Sequence, residues 1–416
     1  MKYALVQVLP DVPPGGVCAG IDWAAGEHAV CVVDLAGRVK DQFTVTHDRA
    51  GLAALTGRLH AAGAAEIAIE RGTGVLVDAL LGAGLTVVVI SPRQVRNLRS
   101  RYGSAGGKDD RFDAFVLADT LRTDRARLRP LVPDTPATLA LRAAVRARKD
   151  LVGHRVAACN QLRAHLSGAF PGATGLFSTL DSPVSLAFLA RFPSQQDAAA
   201  LGEQALAAWL GTLPHRGRTA APAVLAARLA AAPPGPAASA AALAGVTAEL
   251  AAATAGLAAR IKALDSQIAA QLTAHPDAPV FTGLPHAGTL RAARLLAEIG
   301  DSRARYPDPQ SLAGIAGITP VTRRSGTFTS HDFRHSASRQ LRDALCDFAA
   351  GSRLSSPWAD AIYTAARDRG KDHPHATRIL ARAWTTIIWR CWHDHAPYDP
   401  AKHTALQTLL DHQAQP

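Results

Sequence analysis

Four carboxylates stand where acids are unexpected for packing alone. Asp22 closes the apolar stretch Val17–Asp22, within Gly20-Ile21-Asp22-Trp23. Glu70 closes Glu66–Glu70, within Ala68-Ile69-Glu70-Arg71-Gly72. Asp110 and Asp113 lie three apart in a stretch of helical spacing, so they share a face. Brought together, the four would offer hard oxygen ligands of the kind Mg²⁺ takes. Two such ions about 3.5–4 Å apart can clamp the attacking and leaving oxygens of a phosphodiester. Each acid alone could instead cap a helix or pair with an arginine. Four of them, at the ends of strands and on one helix face, favour the metal site. Asp109 and Asp119 read as solvated or arginine-paired neighbours.

A second chemistry is spelled by Gly317-Ile318-Thr319-Pro320-Val321-Thr322-Arg323-Arg324-Ser325-Gly326. A serine just after two arginines suits attack on phosphorus, because guanidinium stabilises developing negative charge on oxygen. Ser-Gly beside Arg is also common in plain loops, so this segment alone is weak. Arg334, Ser336, Ser338, Arg339 and Arg342 add phosphate-contact candidates, or else form a solvated helix face. Leu284–Leu290, running through His286 and Gly288 into an apolar helix, reads as a helix-hairpin-helix-like turn. Such a turn can hold a phosphate on backbone N–H groups without reading bases. The pairs His331/His335, His373/His375 and His393/His395 lack the partners of a familiar zinc spacing, so surface or DNA-facing roles are expected. Trp384, Trp389 and Trp392 follow helical spacing and read as core.

The elements that must position these groups are legible in outline. Strands are expected at Val17–Asp22, His28–Leu35 and Arg38–Thr46, with a tight turn at Ala36-Gly37. A helix from Asp48 to Ala62 follows, with Asp48 as N-cap, then a strand Glu66–Glu70, a helix Gly74–Leu81 and a strand Leu85–Ile90. Three antiparallel strands followed by α/β units is the ribonuclease H-like order; a dinucleotide-binding domain would alternate from the start. Arg93, Arg96, Arg99 and Arg101 then make a basic stretch, followed by a glycine-rich loop and Lys108. Residues 137–167 and 237–273 read as two long helices flanking a Pro/Ala-rich insert, 171–240, that resists assignment. The fold class expected is therefore α/β plus α. Its parts are 1–130 for the carboxylates, 131–275 for a helical coiled-coil arm, 276–400 for a mainly helical domain with the serine, and a tail at 401–416.

Length and charge bound the function. A chain of 416 residues is too long for one average domain. Its formal net charge is +11, and with only seven lysines it owes 38 of its 45 basic residues to arginine. A chain this basic usually meets a polyanion, most often nucleic acid, and arginine grips phosphate in a planar, bidentate way. Coding bias accounts for part of that arginine. No strongly apolar uncharged run of about 18 residues stands out, so a membrane span is not expected. The first sixteen residues lack a signal-peptide pattern. Five cysteines without knuckle spacing argue against zinc and a disulfide framework, which fits the cytoplasm and the nucleoid.

Taken in order, Gly20-Ile21-Asp22, Ile69-Glu70, Lys108-Asp109-Asp110-Arg111-Phe112-Asp113-Ala114 and Gly317–Gly326 resemble the DEDD transposases of the insertion-sequence-110 group. Arg367-Asp368-Arg369-Gly370-Lys371 and Pro397-Tyr398-Asp399-Pro400 are similar to that group's C-terminal ends. The resemblance spans nearly the whole chain outside the insert and tail. It implies a RuvC-like N-terminal domain, an arm used in self-association and a C-terminal transposase domain. It also implies Asp22, Glu70, Asp110 and Asp113 as Mg²⁺ ligands, and Ser325 as the nucleophile of a transient phosphoserine link. A structured bridge RNA that pairs with target and donor DNA, and a homodimer or homotetramer with a site completed between subunits, are implied in the same way. Asp109 departs from the group, which usually has a small polar residue there; spacing to Asp113 favours Asp110 as the ligand. Alternatives are a metal-only nuclease of the Holliday-junction resolvase type and a non-catalytic RNA/DNA-binding protein. An actin-like ATPase would need a second similar half, and none is found.

Overall fold

The computed structural model describes residues 9–102, 109–214, 219–335 and 337–414, at 331, 413 and 414 by the backbone alone. Two compact units emerge: residues up to Asp134 with Ser302–Asp308, and Thr135–Asp301 with Pro309 onward.

The first unit is α/β. Its elements are β1 (Val17–Trp23), β2 (Glu27–Asp34), β3 (Val39–Thr46), α1 (Arg49–Ala61), β4 (Glu66–Ile69), α2 (Val75–Gly82), β5 (Thr86–Val89), α3 (Pro92–Arg99) and α4 (Asp110–Thr123). The sheet runs β3-β2-β1-β4-β5. β1, β2 and β3 are antiparallel neighbours, while β4 and β5 run parallel to β1. Along the chain the elements follow the order expected from the sequence, β-β-β-α-β-α-β. β2 is apolar without alternation because both its faces are covered. Val30 and Val32 join a core with Leu55, Leu59, Leu76 and Leu80 of α1 and α2. Cys31 and Val33 join the opposite core, with Val95 of α3 and Leu117 and Leu121 of α4. Asp48 caps α1 as expected, accepting a 2.7 Å bond from the Gly51 N–H. A buried bidentate pair, Arg125 with Glu66 at 2.6 and 3.0 Å, ties the end of this unit to β4.

The second unit is mostly helical. Helix α5 (Pro136–Ala169) and helix α10 (Ala240–Thr273) are each 34 residues long. They pack antiparallel: Thr138 meets His275 at 2.8 Å, Arg148 pairs with Asp265, and His165 meets Thr247 at 2.9 Å. Advance along one helix is thus matched by nearly equal retreat along the other. Ala237–Thr273 is long and apolar enough to cross a membrane by length and composition. Its apolarity is mainly alanine, and Ile261, Ile268 and Leu272 supply large buried side chains.

Among its described residues the insert is largely helical, which the sequence did not reveal. It holds α6 (Pro183–Arg191), α7 (Gln195–Ala199), α8 (Glu203–Thr212) and α9 (Pro222–Ala231). Phe170, Phe188, Leu206, Leu210, Leu225 and Leu229 form its core.

Next come α11 (Ala278–Thr282), α12 (Gly288–Ile299) and α13 (Pro309–Ala316). A hairpin, β6 (Val321–Ser325) and β7 (Phe328–Asp332), precedes α14 (Arg339–Ser352), α15 (Pro357–Asp368), α16 (His373–His393) and α17 (Thr404–Ala414). Trp384 and Trp392 are fully buried, donating to Ser352 Oγ at 2.8 Å and to the Gly300 carbonyl at 2.7 Å.

Candidate active site

The carboxylates converge because α4 lies unusually close to β1. A Cβ at Gly20 would stand 2.1 Å from the Ala114 carbonyl oxygen and 2.4 Å from the Ala118 nitrogen. Only glycine permits that approach, and Ala114 and Ala118, one turn apart, present the small face that makes it. Asp22 is two residues beyond Gly20, so it points to the same side of the sheet. The first turn of α4, with Asp110 and Asp113, is thereby laid over the end of β1.

Ligand oxygens of Asp22, Asp110 and Asp113 all lie within 4.8 Å of one another. Asp110 is exposed, Asp22 half-buried and Asp113 buried. Glu70 follows β4 directly, one residue past Ile69, which sits opposite Ile21 in the parallel pair. Its backbone is therefore beside that of Asp22, although its side chain is not within the three-carboxylate group. Asp109 is the N-cap of α4, accepting from the Arg111 N–H at 3.0 Å, which leaves Asp110 for the cluster. The positive end of the helix favours anionic carboxylates at this turn.

The residues fit a divalent cation. Asp113 is 2% exposed, its Oδ2 held by Arg99. Its other oxygen, Oδ1, is buried without a hydrogen-bond partner. An unpartnered buried carboxylate oxygen is costly, and a cation shared with Asp22 and Asp110 would satisfy it.

The arginines expected to meet phosphate divide. Arg93 and Arg96 are exposed on α3. Arg99 turns inward to Asp113. Arg101 donates to Thr123 Oγ1 at 3.2 Å, with its guanidinium 6.0 Å from the Tyr102 ring. Lys108 lies outside the described residues. The inward role of Arg99 had no signal in the sequence, because it depends on how α3 packs on α4.

Ser325 sits in the second unit, exposed at the end of β6. No element is expected from the sequence for the segment around it, and it forms a two-stranded ribbon. Gly326 has φ +57°, the positive value that a two-residue hairpin turn requires. Strand alternation puts Arg323 on the face of Ser325 and Arg324 on the other. Arg323 is steered by Asp332, at 3.1 Å. Arg334 and Arg339 are exposed beyond the hairpin, and Ser336 lies outside the described residues. The turn before α12 carries His286 at φ +58°, and the helix start has no side-chain cap, which leaves N–H groups for another acceptor.

Comparisons with known proteins group the chain with transposases. Residues 19–171 match the DEDD family of IS110 type, described as a transposase. Residues 278–364 match the family described as transposase IS116/IS110/IS902. The mini-circle putative transposase for IS117 of Streptomyces coelicolor is 31% identical over 400 residues, covering 92% of this chain and 95% of that protein. An uncharacterized 42 kDa protein of insertion element IS900 from Mycobacterium paratuberculosis is 30% identical, covering 94% of this chain and 98% of its own. The uncharacterized 44.8 kDa protein of insertion element IS116 from Streptomyces clavuligerus is 27% identical, covering 92% of this chain and 96% of its own. DEDD transposases generally depend on a divalent metal, and the family implies a ribonuclease H-like fold for the α/β unit. The chain belongs to the IS110 family of transposases, enzymes that act on DNA.

Proposed function

We propose that this transposase cuts and rejoins DNA through a phosphoserine intermediate at Ser325, with Mg²⁺ held by Asp22, Asp110 and Asp113 and joined by Glu70. The observation that carries the metal reading is the convergence of three carboxylates, one of which, Asp113, has a buried oxygen without a hydrogen-bond partner. Mg²⁺ there would polarise phosphate oxygens and orient the reacting strand. Ser325 Oγ attacks phosphorus, the bond to one deoxyribose oxygen breaks, and that oxygen leaves with a proton. A deoxyribose hydroxyl of the new partner strand then attacks the phosphoserine and releases the serine. Nothing is oxidised, and each bond broken is matched by one formed. Arg323, on the face of Ser325, stabilises the charge that builds on the phosphate oxygens.

A structured guide RNA and assembly as a homodimer or homotetramer belong to the same reading. The exposed Arg93 and Arg96 suit backbone contacts of either nucleic acid. Ser325→Ala protein is expected to form no covalent DNA adduct under denaturing electrophoresis, while Asp22→Asn lowers strand cleavage by several orders of magnitude. An adduct that persists in Ser325→Ala excludes the serine. Cleavage without any adduct or rejoining in the wild type supports the metal-only nuclease, which is favoured by the convergence of three carboxylates within one unit.

A further inference from the structure

A cavity of about 600 Å³ opens between the base of the β6–β7 hairpin and α16, and the chemistry above makes no use of it. Asp332 and Phe333 line it from the hairpin. His375, Arg378 and Arg382 line it from α16, spaced so that they share one helix face, and Lys371 lines it from just before that helix. A second cavity of about 290 Å³ shares Ile379 and Arg382 with the first, so the lining continues along α16.

Local structure fixes the cations in place. Helix α15 ends in a Schellman motif: the Gly370 N–H meets the Arg367 carbonyl at 2.8 Å and the Lys371 N–H meets the Ala366 carbonyl at 3.2 Å. Asp372 then caps α16 through the His375 N–H at 2.8 Å. Lys371 is thus held at the mouth, one turn before the stripe of α16.

The charges are uncompensated. Lys371, Arg378 and Arg382 make no ion pair among the described residues, and the one acid in the lining, Asp332, is engaged by Arg323. Phe333 is 36% exposed. The guanidinium carbons of Arg342 and Arg378 lie 4.5 and 4.8 Å from its ring centre. A cationic groove with an accessible aromatic ring is the composition that holds single-stranded nucleic acid, phosphates on the cations and a base on the ring. The continuation along α16 suits a polymer rather than a lone small anion.

We propose that this groove holds the backbone of a DNA strand beside the scissile phosphate, with phosphates on Lys371, Arg378 and Arg382 and an unstacked base on Phe333. Its relation to the reacting phosphate rests on the reading of Ser325 as nucleophile. β6 is five residues long and begins just after Pro320 of the lining, so Ser325 lies about 14 Å beyond Val321, roughly four nucleotides of axial rise.

The test is equilibrium binding of the full-length protein to a fluorescent single-stranded 20-mer DNA across a salt series. An RNA of the same sequence is measured in parallel. Arg378→Gln/Arg382→Gln is expected to reduce the slope of log affinity against log salt by about 1.4, two phosphate contacts at about 0.7 each. Lys371→Gln, on an exposed turn, is expected to reduce it by about 0.7. Phe333→Leu is expected to weaken binding on the order of 10-fold with the slope unchanged. Arg228→Gln, an exposed arginine on α9, serves as the control and is expected to match wild type. Wild-type slopes and affinities in Lys371→Gln and Phe333→Leu overturn the proposal, as does a loss confined to the RNA. Ser325→Ala is expected to keep full DNA affinity, so the groove and the nucleophile fail or stand separately.

Discussion

Asp113 shows how one side chain can be divided between two duties. Arg99 grips Oδ2, and the same carboxylate offers a ligand oxygen to the group it forms with Asp22 and Asp110. The grip fixes the carboxylate plane before any cation arrives, which is what an outer partner contributes to a metal ligand. In Arg99→Gln the buried Oδ2 loses its charged partner and the carboxylate is free to turn. The affinity of the DNA-free protein for Mn²⁺, measured by titration calorimetry, is expected to fall 10- to 100-fold, with Arg99→Lys recovering part of it. Unchanged affinity in Arg99→Gln would show that the cluster is oriented without it. The carboxylates themselves were legible, since an acid at the end of an apolar strand is conspicuous in one dimension. Arg99 was not. It read as one of four phosphate-seeking arginines, and its inward turn is a fact of tertiary packing.

Elements were legible where a period or a cap announced them. Asp48 as N-cap, the uninterrupted apolar run of β2 and the helical spacing around Asp110 all appear where the residues placed them. The insert was opaque because alanine and proline carry little periodic contrast. Its helices are short, of 5 to 10 residues, and its core is a handful of Phe and Leu residues. The serine hairpin was missed because β6 is exposed along most of its length and its arginines hide the alternation. The decisive contact between elements is that of α4 with β1 at Gly20. In Gly20→Ala the added methyl meets backbone atoms that cannot swing aside. Urea unfolding is expected to show a loss of about 1–3 kcal/mol, and Mn²⁺ binding should weaken as α4 lifts from Asp22. Wild-type metal affinity in a folded Gly20→Ala protein would refute this account of how the carboxylates meet.

Across the whole molecule, the charge of +11 resolves into arginines with distinct fates. Some close internal pairs, as Arg125 does with Glu66 and Arg146 with Glu298. Others, such as Arg93, Arg96 and Arg382, remain exposed. Global stability also has an acid-side weakness. His28 is fully buried in the sheet, its Nε2 2.8 Å from His47 Nδ1. Burial, with the neighbouring His47 adding to it, lowers its pKa from the ordinary 6.5. The unfolded chain therefore binds this proton more readily than the native one. The contribution is fully present above pH 6.5 and is lost as pH falls toward the native value. The melting temperature is expected to drop between pH 7.5 and 5.5, and His28→Gln should flatten that drop. Identical pH profiles for the two proteins would assign the acid loss elsewhere.

The paired long helices carry a consequence for how such proteins diversify. Each α-helix of 34 residues runs about 50 Å. The chain leaves along α5, builds the insert, and comes back along α10 in matched register. Whatever is spliced between the two helices lengthens the excursion without shifting that register. An ancestral reshaping of the insert would thus alter the load at one end of the pair and leave the pairing at the other end unedited. Composition there is free to be rich in alanine and proline, as it is in this chain.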